Sequence, residues 1–204
     1  MHMDYTCNKT ERILNLAENS AVLSTGEVRA KGIHHEYLRR MCADGLLVRI
    51  GRGRYMLPDA ETTVHHGLAS ASKAVPKGVI CLLSALRFHE IGTELPHEVW
   101  MAIDRRAAYP RIAIPRLRIM RFSGRALTEG MDVHTIEGVQ VPIYSPAKTV
   151  ADCFKYRNKI GVDVAIEALR EVIRDRRCTM DELWSYAQVC RVANIMRPYM
   201  EAMA

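Results

Sequence analysis

Residues 24–58, STGEVRAKGIHHEYLRRMCADGLLVRIGRGRYMLP, carry the pattern that decides the fold of the N-terminal part of the chain. Ser24 and Glu27 have the S-x-x-E spacing of a capping box, which predicts a short helix over residues 25–30. Gly32 ends that helix, because glycine adopts the left-handed conformation at little cost. A second helix is predicted over residues 34–44, and Gly45 closes it.

A basic hairpin follows the second helix. The runs LLVRI and RYML predict strands over residues 46–50 and 54–57, with Gly51-Arg52-Gly53 as a tight turn between them. A preceding helix over residues 9–18 would supply a third helix for a common core. This order of helix, turn, helix and hairpin is typical of a winged helix-turn-helix.

The same stretch holds most of the excess positive charge. Between residues 29 and 54 there are seven Lys or Arg residues against two acids, a net charge of +5, and the whole chain carries +6. A helix fits the major groove of DNA, where arginines on its outer face reach base edges. We therefore expect the winged domain to bind double-stranded DNA.

The predicted DNA-binding residues are Lys31, His34, His35, Arg39, Arg40, Arg49, Arg52 and Arg54. Of these, Arg39, Arg40 and His35 would contact base edges, and Lys31, Arg49, Arg52 and Arg54 would hold phosphates or enter the neighbouring groove. Two alternatives stay open: the charges form only a solvated face, or the winged helix is a protein-interaction module.

Length and composition favour two small globular domains. The 204 residues are 49% hydrophobic and 25% charged, which is ordinary for a globular protein. No run of 18 apolar residues occurs and the N-terminus lacks a signal-peptide core, so we expect a cytoplasmic protein without membrane contact. The six cysteines (7, 42, 81, 153, 178 and 190) lack metal-ligand spacing, so we expect reduced thiols, no metal and no cofactor.

The rest of the chain predicts an α+β fold. We expect a winged helix-turn-helix domain over residues 1–60, a connecting helix or linker over 61–78, and a mixed α/β domain over 79–204. That last domain would combine a small, largely antiparallel sheet with C-terminal helices. The connecting helix is predicted over residues 61–74. The second domain is predicted to have strands over 99–103, 117–122, 133–136 and 139–144, and helices over 80–89, 145–156, 163–176 and 180–191. Thr179 and Glu182 have the spacing of a capping box for the last of these helices.

A second basic stretch lies between residues 105 and 125, which contain seven arginines and no acid. It could extend the DNA contact, bind RNA, meet an acidic protein surface, or remain a solvated loop and strand edge. The residues of this possible second basic surface are Arg105, Arg106, Arg111, Arg116, Arg118 and Arg121.

Ser145 and Lys148 have the S-x-x-K spacing of serine–lysine acyl enzymes. No S-D-N or K-T-G run follows, and a serine before a proline is better explained as a helix cap. We therefore expect no catalytic residues and no enzymatic activity.

Taken together, these motifs resemble the AbiEi-type antitoxins of bacterial abortive-infection (type IV) toxin–antitoxin systems. The resemblance rests on Gly32-Ile33, Leu38, Gly45 to Arg49, Arg52 to Tyr55, Ser84 to Leu86, Ile136 to Val141, and Ser145 to Asp152.

This resemblance implies a winged domain that binds inverted repeats in its own promoter and represses transcription. It also implies a second domain that counters a cognate toxin resembling a nucleotidyltransferase. Inverted repeats would fit two copies, although the oligomeric state stays open. The alternatives are a winged-helix protein-interaction module and a transcriptional regulator without any toxin partner.

Overall fold

The computed structural model describes residues 4–20, 22–59, 63–112 and 114–203, with side chains from residue 9 onward. The chain forms two compact units. The first unit comprises Met1–Pro76, Arg111–Pro115 and Thr135–Gln140, and the second comprises Lys77–Pro110, Arg116–His134 and Val141–Ala204. The first unit is therefore discontinuous in sequence, since it includes two short segments from beyond residue 76.

The first unit is built from short helices and a three-stranded sheet. Its elements are α1 (Asp4–Glu18), β1 (Leu23–Ser24), α2 (Thr25–Ala30), α3 (Glu36–Ala43), β2 (Val48–Gly51), β3 (Arg54–Met56) and α4 (His66–Ala74). The sheet order is β1-β3-β2 with antiparallel pairing, in which Arg49 lies opposite Tyr55. The predicted winged helix-turn-helix is confirmed. Strand β1 was not predicted, because two residues are too few to show an alternating pattern.

The helix α2 begins as the capping box predicts. The Ser24 hydroxyl accepts a hydrogen bond from the Glu27 amide at 3.2 Å, and a Glu27 carboxylate oxygen accepts from the Ser24 amide at 2.7 Å. Apolar side chains of α1, α2 and α3, among them Ile13, Val28 and Leu38, are fully buried together. Burial of this apolar face stabilises the three short helices, which would be marginal alone.

The second unit is larger. Its elements are β4 (Val79–Ile80), α5 (Leu82–Phe88), β5 (Val99–Asp104), β6 (Leu117–Phe122), α6 (Arg125–Thr128), β7 (Met131–Ile136), β8 (Val139–Tyr144), α7 (Pro146–Lys155), α8 (Arg157–Ile160), α9 (Val162–Arg174), α10 (Met180–Val189) and α11 (Ala193–Met203). A five-stranded sheet has the order β6-β5-β4-β8-β7. The tip of the β7–β8 hairpin belongs to the first unit. The expected α+β class is confirmed.

The five-stranded sheet is mixed, which corrects the expectation of a largely antiparallel one. Strands β4 and β5 run antiparallel, but β5 pairs parallel with β6 over six residue pairs, and β4 pairs parallel with β8. A parallel pair needs a crossover of about a dozen residues or more. The basic segment over residues 105–116 has that length, so β5 and β6 need not form a hairpin.

Some helices of the second unit differ from the prediction. The first two residues of the predicted helix 80–89 are a strand residue and a helix cap, and α5 begins at Leu82. The capping box of α10 is confirmed, because the Thr179 hydroxyl accepts from the Glu182 amide at 3.1 Å. The helix α11 was not predicted, since it contains Pro198, yet Met196 and Met200 on it are buried.

Candidate nucleic-acid interface

The outer face of α3 presents the predicted base-contacting residues. His35, Arg39 and Arg40 are all exposed. The Arg39 guanidinium lies 3.4 Å from a Glu36 carboxylate oxygen, and the Arg40 guanidinium lies 5.8 Å from the centre of the Tyr37 ring. Exposed contacts of this kind contribute little to stability, so these side chains can turn outward at small cost.

The start of α3 also involves a predicted site residue. The helix was expected to begin at His34 and begins at Glu36, whose amide donates to His34 Nδ1 at 3.3 Å. His34 therefore satisfies one of the free amides at the helix start. His35 Nδ1 lies 3.4 Å from an Arg29 nitrogen.

The wing is fixed to the start of α2 by its turn. Gly53 has φ +69°, a conformation that glycine adopts without strain, and its carbonyl accepts from the Thr25 amide at 2.8 Å. The side chain of Arg49 donates to the Gly51 carbonyl at 3.2 Å, and Arg52 stands exposed at the tip of the turn. The wing thus holds two exposed arginines on an anchored loop.

Arg54 differs from the other predicted DNA-binding residues. It is 8% exposed, and its guanidinium donates to the Ile114 carbonyl at 2.9 Å and to the Ser70 carbonyl at 3.5 Å. Burial lowers the pKa of this guanidinium. Because its donors are directed to carbonyls inside the first unit, Arg54 is not available to DNA phosphates in this conformation.

Lys31, the remaining predicted residue, lies within the first unit and is exposed. Lys31 follows α2, and its carbonyl accepts from an Arg12 nitrogen at 3.2 Å. Arg12 and Arg29, which were not predicted to bind DNA, are also exposed, and each contacts a predicted residue. Arg29 stands at the end of α2, and its place in the basic run was the available signal.

The arginines of the second basic stretch are divided between the two units. Arg111 belongs to the first unit, whereas Arg105, Arg106, Arg116, Arg118 and Arg121 belong to the second. All six are exposed, and within the described residues none pairs with a carboxylate. Two of them are engaged locally, because Arg118 covers the Trp100 ring at 5.5 Å and Arg121 donates to the Asp104 carbonyl at 3.1 Å.

The Ser145–Lys148 pattern lies at the start of α7. Ser145 and Pro146 occupy the cap and first helical positions as expected, but the Ser145 hydroxyl makes no capping hydrogen bond. It is buried and has no hydrogen-bond partner within the described residues. Ser145 therefore occupies the predicted cap position, but its hydroxyl does not make the capping hydrogen bond that the prediction implied. Proline at the first position already removes one of the amides that a cap would satisfy.

Lys148 forms a buried ion pair with Asp152. Its ammonium lies 2.6 Å from an Asp152 carboxylate oxygen and 4.0 Å from the centre of the Tyr144 ring, and both charged groups are buried. The Cys190 thiol donates to the other Asp152 oxygen at 3.2 Å. Burial raises the pKa of Asp152, although Lys148 acts in the opposite direction. The S-P-A-K-T-V-A-D run thus forms a buried ion pair one helical turn apart.

The described residues contain neither a metal-binding cluster nor a helix that could span a membrane. They contain no group of three or more His, Cys, Asp or Glu side chains placed to hold a metal ion. Within the same ranges every helix is too short or too polar to cross a bilayer. Cys42, Cys81, Cys153, Cys178 and Cys190 are free thiols, and the side chain of Cys7 lies outside the described residues.

Comparisons with known proteins give a family match for the N-terminal part of the chain and a fold match for most of it. Residues 11–58 match the family model described as "Transcriptional regulator, AbiEi antitoxin". No curated protein sequence matches the chain at a significant level. The crystal structure of the RV2827C protein from Mycobacterium tuberculosis is similar with a TM-score of 0.60 at 13% identity, over 89% of this chain and 71% of that one. At such low identity the likeness concerns the fold alone. The matched residues run from α1 through the wing, so the winged helix-turn-helix of this chain is similar to that of the AbiEi antitoxin family of transcriptional regulators.

Proposed function

We propose that the chain is a DNA-binding autorepressor and the antitoxin of a toxin–antitoxin pair. The observation that carries the DNA-binding part is the clustering of exposed basic residues on α3 and the wing of one compact unit. A basic recognition helix beside a basic wing is the electrostatic footprint of a duplex-binding winged helix. The family of residues 11–58 supports a regulatory role.

In this proposal the exposed residues have two tasks. Arg39, Arg40 and His35 contact base edges in the major groove, where arginine forms bidentate hydrogen bonds to guanine. Lys31, Arg49 and Arg52 hold phosphates or enter the neighbouring groove, which sets the register without selecting sequence. Arg54 is left out of this set because of its buried contacts.

A binding assay on the promoter fragment upstream of the chain's own gene tests this. Neutralising about six phosphates predicts a slope of about −5 when the logarithm of the binding constant is plotted against that of the salt concentration. Arg40→Ala combined with Arg52→Ala is expected to weaken binding strongly and to make the slope shallower. Arg170→Ala, an exposed arginine on α9, is the matched control and is expected to bind as the wild type does. Salt-independent binding, or unchanged binding in the double variant, contradicts the proposal.

The antitoxin part concerns a second partner. We infer a cognate nucleotidyltransferase-like toxin, countered through surfaces other than the basic face of α3. Co-expression with the product of the adjacent gene tests this, with host growth and co-purification as readouts. Arg40→Ala plus Arg52→Ala is expected to lose DNA binding and keep growth protection. Loss of both together would favour the alternative in which the winged unit docks a protein through its basic face.

We further propose that the chain acts by binding and not by catalysis. The Lys148 side chain of the serine–lysine pattern is held in an ion pair with Asp152, and a paired ammonium cannot serve as a general base because only the neutral amine accepts a proton. Ser145→Ala is expected to leave both DNA binding and growth protection unchanged.

A further inference from the structure

A basic groove lies beside the wing, entirely within the first unit. It has a volume of about 780 Å³. One wall is the wing turn with Arg49 and Arg52, and the other is the short segment that brings Arg111, Ile112 and Ile114 into this unit. No acidic residue occurs among the described residues that line it. We refer to it as the wing groove.

Arg54 fastens the segment carrying Arg111 to the wing strand β3. Its guanidinium donates to the Ile114 carbonyl at 2.9 Å, while the same side chain runs against the wing backbone at Gly51. A Cβ added at Gly51 would lie only 2.6 Å from an Arg54 nitrogen, so this close approach suits glycine. Arg54 therefore fixes where the segment, and with it Arg111, stands relative to the wing.

Of the described cations that line the wing groove, one is paired with a carboxylate and three exposed arginines are not. Lys73 is paired with Glu27 at 2.7 Å and donates to the Ser20 hydroxyl at 2.9 Å. Arg49, Arg52 and Arg111 are exposed, and in the described part of the chain none pairs with a carboxylate. Three unpaired cations facing one open groove repel one another and attract a polyanion.

We propose that the wing groove binds successive phosphates of the DNA backbone, with Arg111 as a contact contributed from outside the winged-helix sequence and Arg54 as the positioning residue. The inference rests on the proposed DNA-binding function and adds a residue that lies beyond the matched 11–58 segment. An open groove of this size continuous with the wing tip suits a polymer backbone, since its exposed apolar wall at Ile114 can cover sugar faces.

Salt-dependent binding of the full chain to the same promoter fragment provides the test. Arg111→Ala is expected to remove one phosphate contact, which makes the log–log salt slope shallower by about 0.9 and weakens binding equally for operator and unrelated DNA. Arg170→Ala removes an exposed arginine of the second unit that lies outside both basic stretches and is the matched control, expected to keep the wild-type slope.

A double-variant comparison tests the positioning role of Arg54. Arg54→Met keeps a long apolar stem and removes the donors to Ile114, so it is expected to reproduce the slope of Arg111→Ala. The two changes combined are then expected to give the same slope as either alone, a non-additivity that general loosening of the fold would not produce. Fully additive slopes would overturn the positioning role.

The outcomes separate this inference from the function on which it rests. If the wild-type chain shows no salt-dependent DNA binding, the proposed function itself fails. If the wild type binds and Arg52→Ala makes the slope shallower while Arg111→Ala does not, the wing groove is overturned and the function stands. An equal loss in Arg170→Ala and Arg111→Ala would also overturn it, because the effect would then be one of net charge.

Discussion

Ser24 and Ser145 stand at the same position before a helix, but their hydroxyls do different things. Ser24 completes a reciprocal capping box with Glu27 at the start of α2. Ser145 precedes a proline at the start of α7, and its buried hydroxyl has no hydrogen-bond partner among the described residues. A hydroxyl that caps contributes to stability, whereas one that is buried without a partner does not.

The two serines therefore predict opposite results for the same substitution. Ser24→Ala is expected to lower the free energy of unfolding by about 1 kcal/mol, the usual cost of losing a cap. Ser145→Ala is expected to change it by less than about 0.5 kcal/mol, because no hydrogen bond is lost. Urea unfolding followed by circular dichroism measures both. Equal destabilisation by the two variants would show that Ser145 caps α7 after all.

Lys148 and Asp152 illustrate a buried pair whose members depend on each other. Lys148→Met leaves the Asp152 carboxylate buried without its cation and is expected to cost about 3–5 kcal/mol. Both tryptophans, Trp100 and Trp184, belong to the second unit, so their fluorescence during urea unfolding reports on it. The control is Lys148→Met with Asp152→Leu, which is expected to recover most of the loss because no unpaired charge remains.

The same variant has a defined pH dependence. Lys148 lowers the pKa of Asp152 against the effect of burial, so its removal raises that pKa further. A carboxyl group whose folded pKa is raised destabilises the folded state as pH rises above the unfolded value of about 3.9. The deficit of Lys148→Met is therefore expected to be larger at neutral pH than at mildly acidic pH. A deficit that does not change with pH would mean that removing Lys148 leaves the folded-state pKa of Asp152 unchanged.

At the scale of elements, Glu137 joins the tip of the β7–β8 hairpin to the start of α4. Its carboxylate accepts from the Thr63 amide at 2.6 Å and lies 2.8 Å from His66 Nδ1. Burial alone would raise the pKa of Glu137, but the hydrogen bonds from Thr63 and His66 more than offset it, and the pKa lies below its usual value. The charged carboxylate is thus the form that the first unit stabilises.

Glu137→Gln is expected to destabilise the first unit by about 1–2 kcal/mol at neutral pH, since hydrogen bonds to a charged acceptor are lost. A lowered pKa means that this contribution is present above the unfolded value of about 4.3 and is lost as pH falls through the folded value. The difference between variant and wild type should therefore shrink in acid. Hydrogen exchange of the α4 amides measures it, and Gln140→Ala in the same hairpin is the control.

The elements that were predicted correctly are those fixed by contacts between residues close together in the sequence. The capping boxes of α2 and α10 and the glycine-flanked wing were predicted from a few neighbouring residues, and the structure contains them. The strand β1 and the parallel pairing of β5 with β6 depend on residues distant in sequence, so no local pattern indicates them. The helix α11 was not predicted because an internal proline disfavours a helix. It forms with two buried methionines, whose burial depends on residues distant in sequence.

The same distinction applies to the candidate site. The sequence places Arg52 at a turn and Arg40 on the outer side of a helix, and in the structure both are exposed. Arg54 lies on strand β3, where a side chain can point to either face of the sheet. The face it takes depends on its contacts with Ser70 and Ile114, which are 16 and 60 residues further along the chain. Arg111 was assigned to the second basic stretch because sequence neighbours alone do not reveal that its segment belongs to the first unit.

At the scale of the whole molecule, each unit has its own core. The helices α1, α2 and α3 share one buried cluster, and the helices around α7 share a larger one. The first unit nevertheless draws on chain beyond residue 76, because segments 111–115 and 135–140 supply acceptors for Arg54, Thr63 and His66. The three-part division predicted from the sequence, with boundaries at residues 60 and 78, does not include these segments and stays a prediction.

A fragment of residues 1–76 tests whether the winged helix-turn-helix is complete without those segments. The fragment keeps the core around Leu38 but leaves the buried Arg54 without its acceptor at Ile114 and removes Glu137. An uncompensated buried charge is costly, so we expect β3 and α4 amides to exchange with solvent at least tenfold faster than in the full chain. The α1 amides, which do not depend on those segments, are the internal control and should change less. Equal protection of β3 in fragment and full chain would show that the winged helix is autonomous, and that the segments around Ile114 and Glu137 contribute little to its stability.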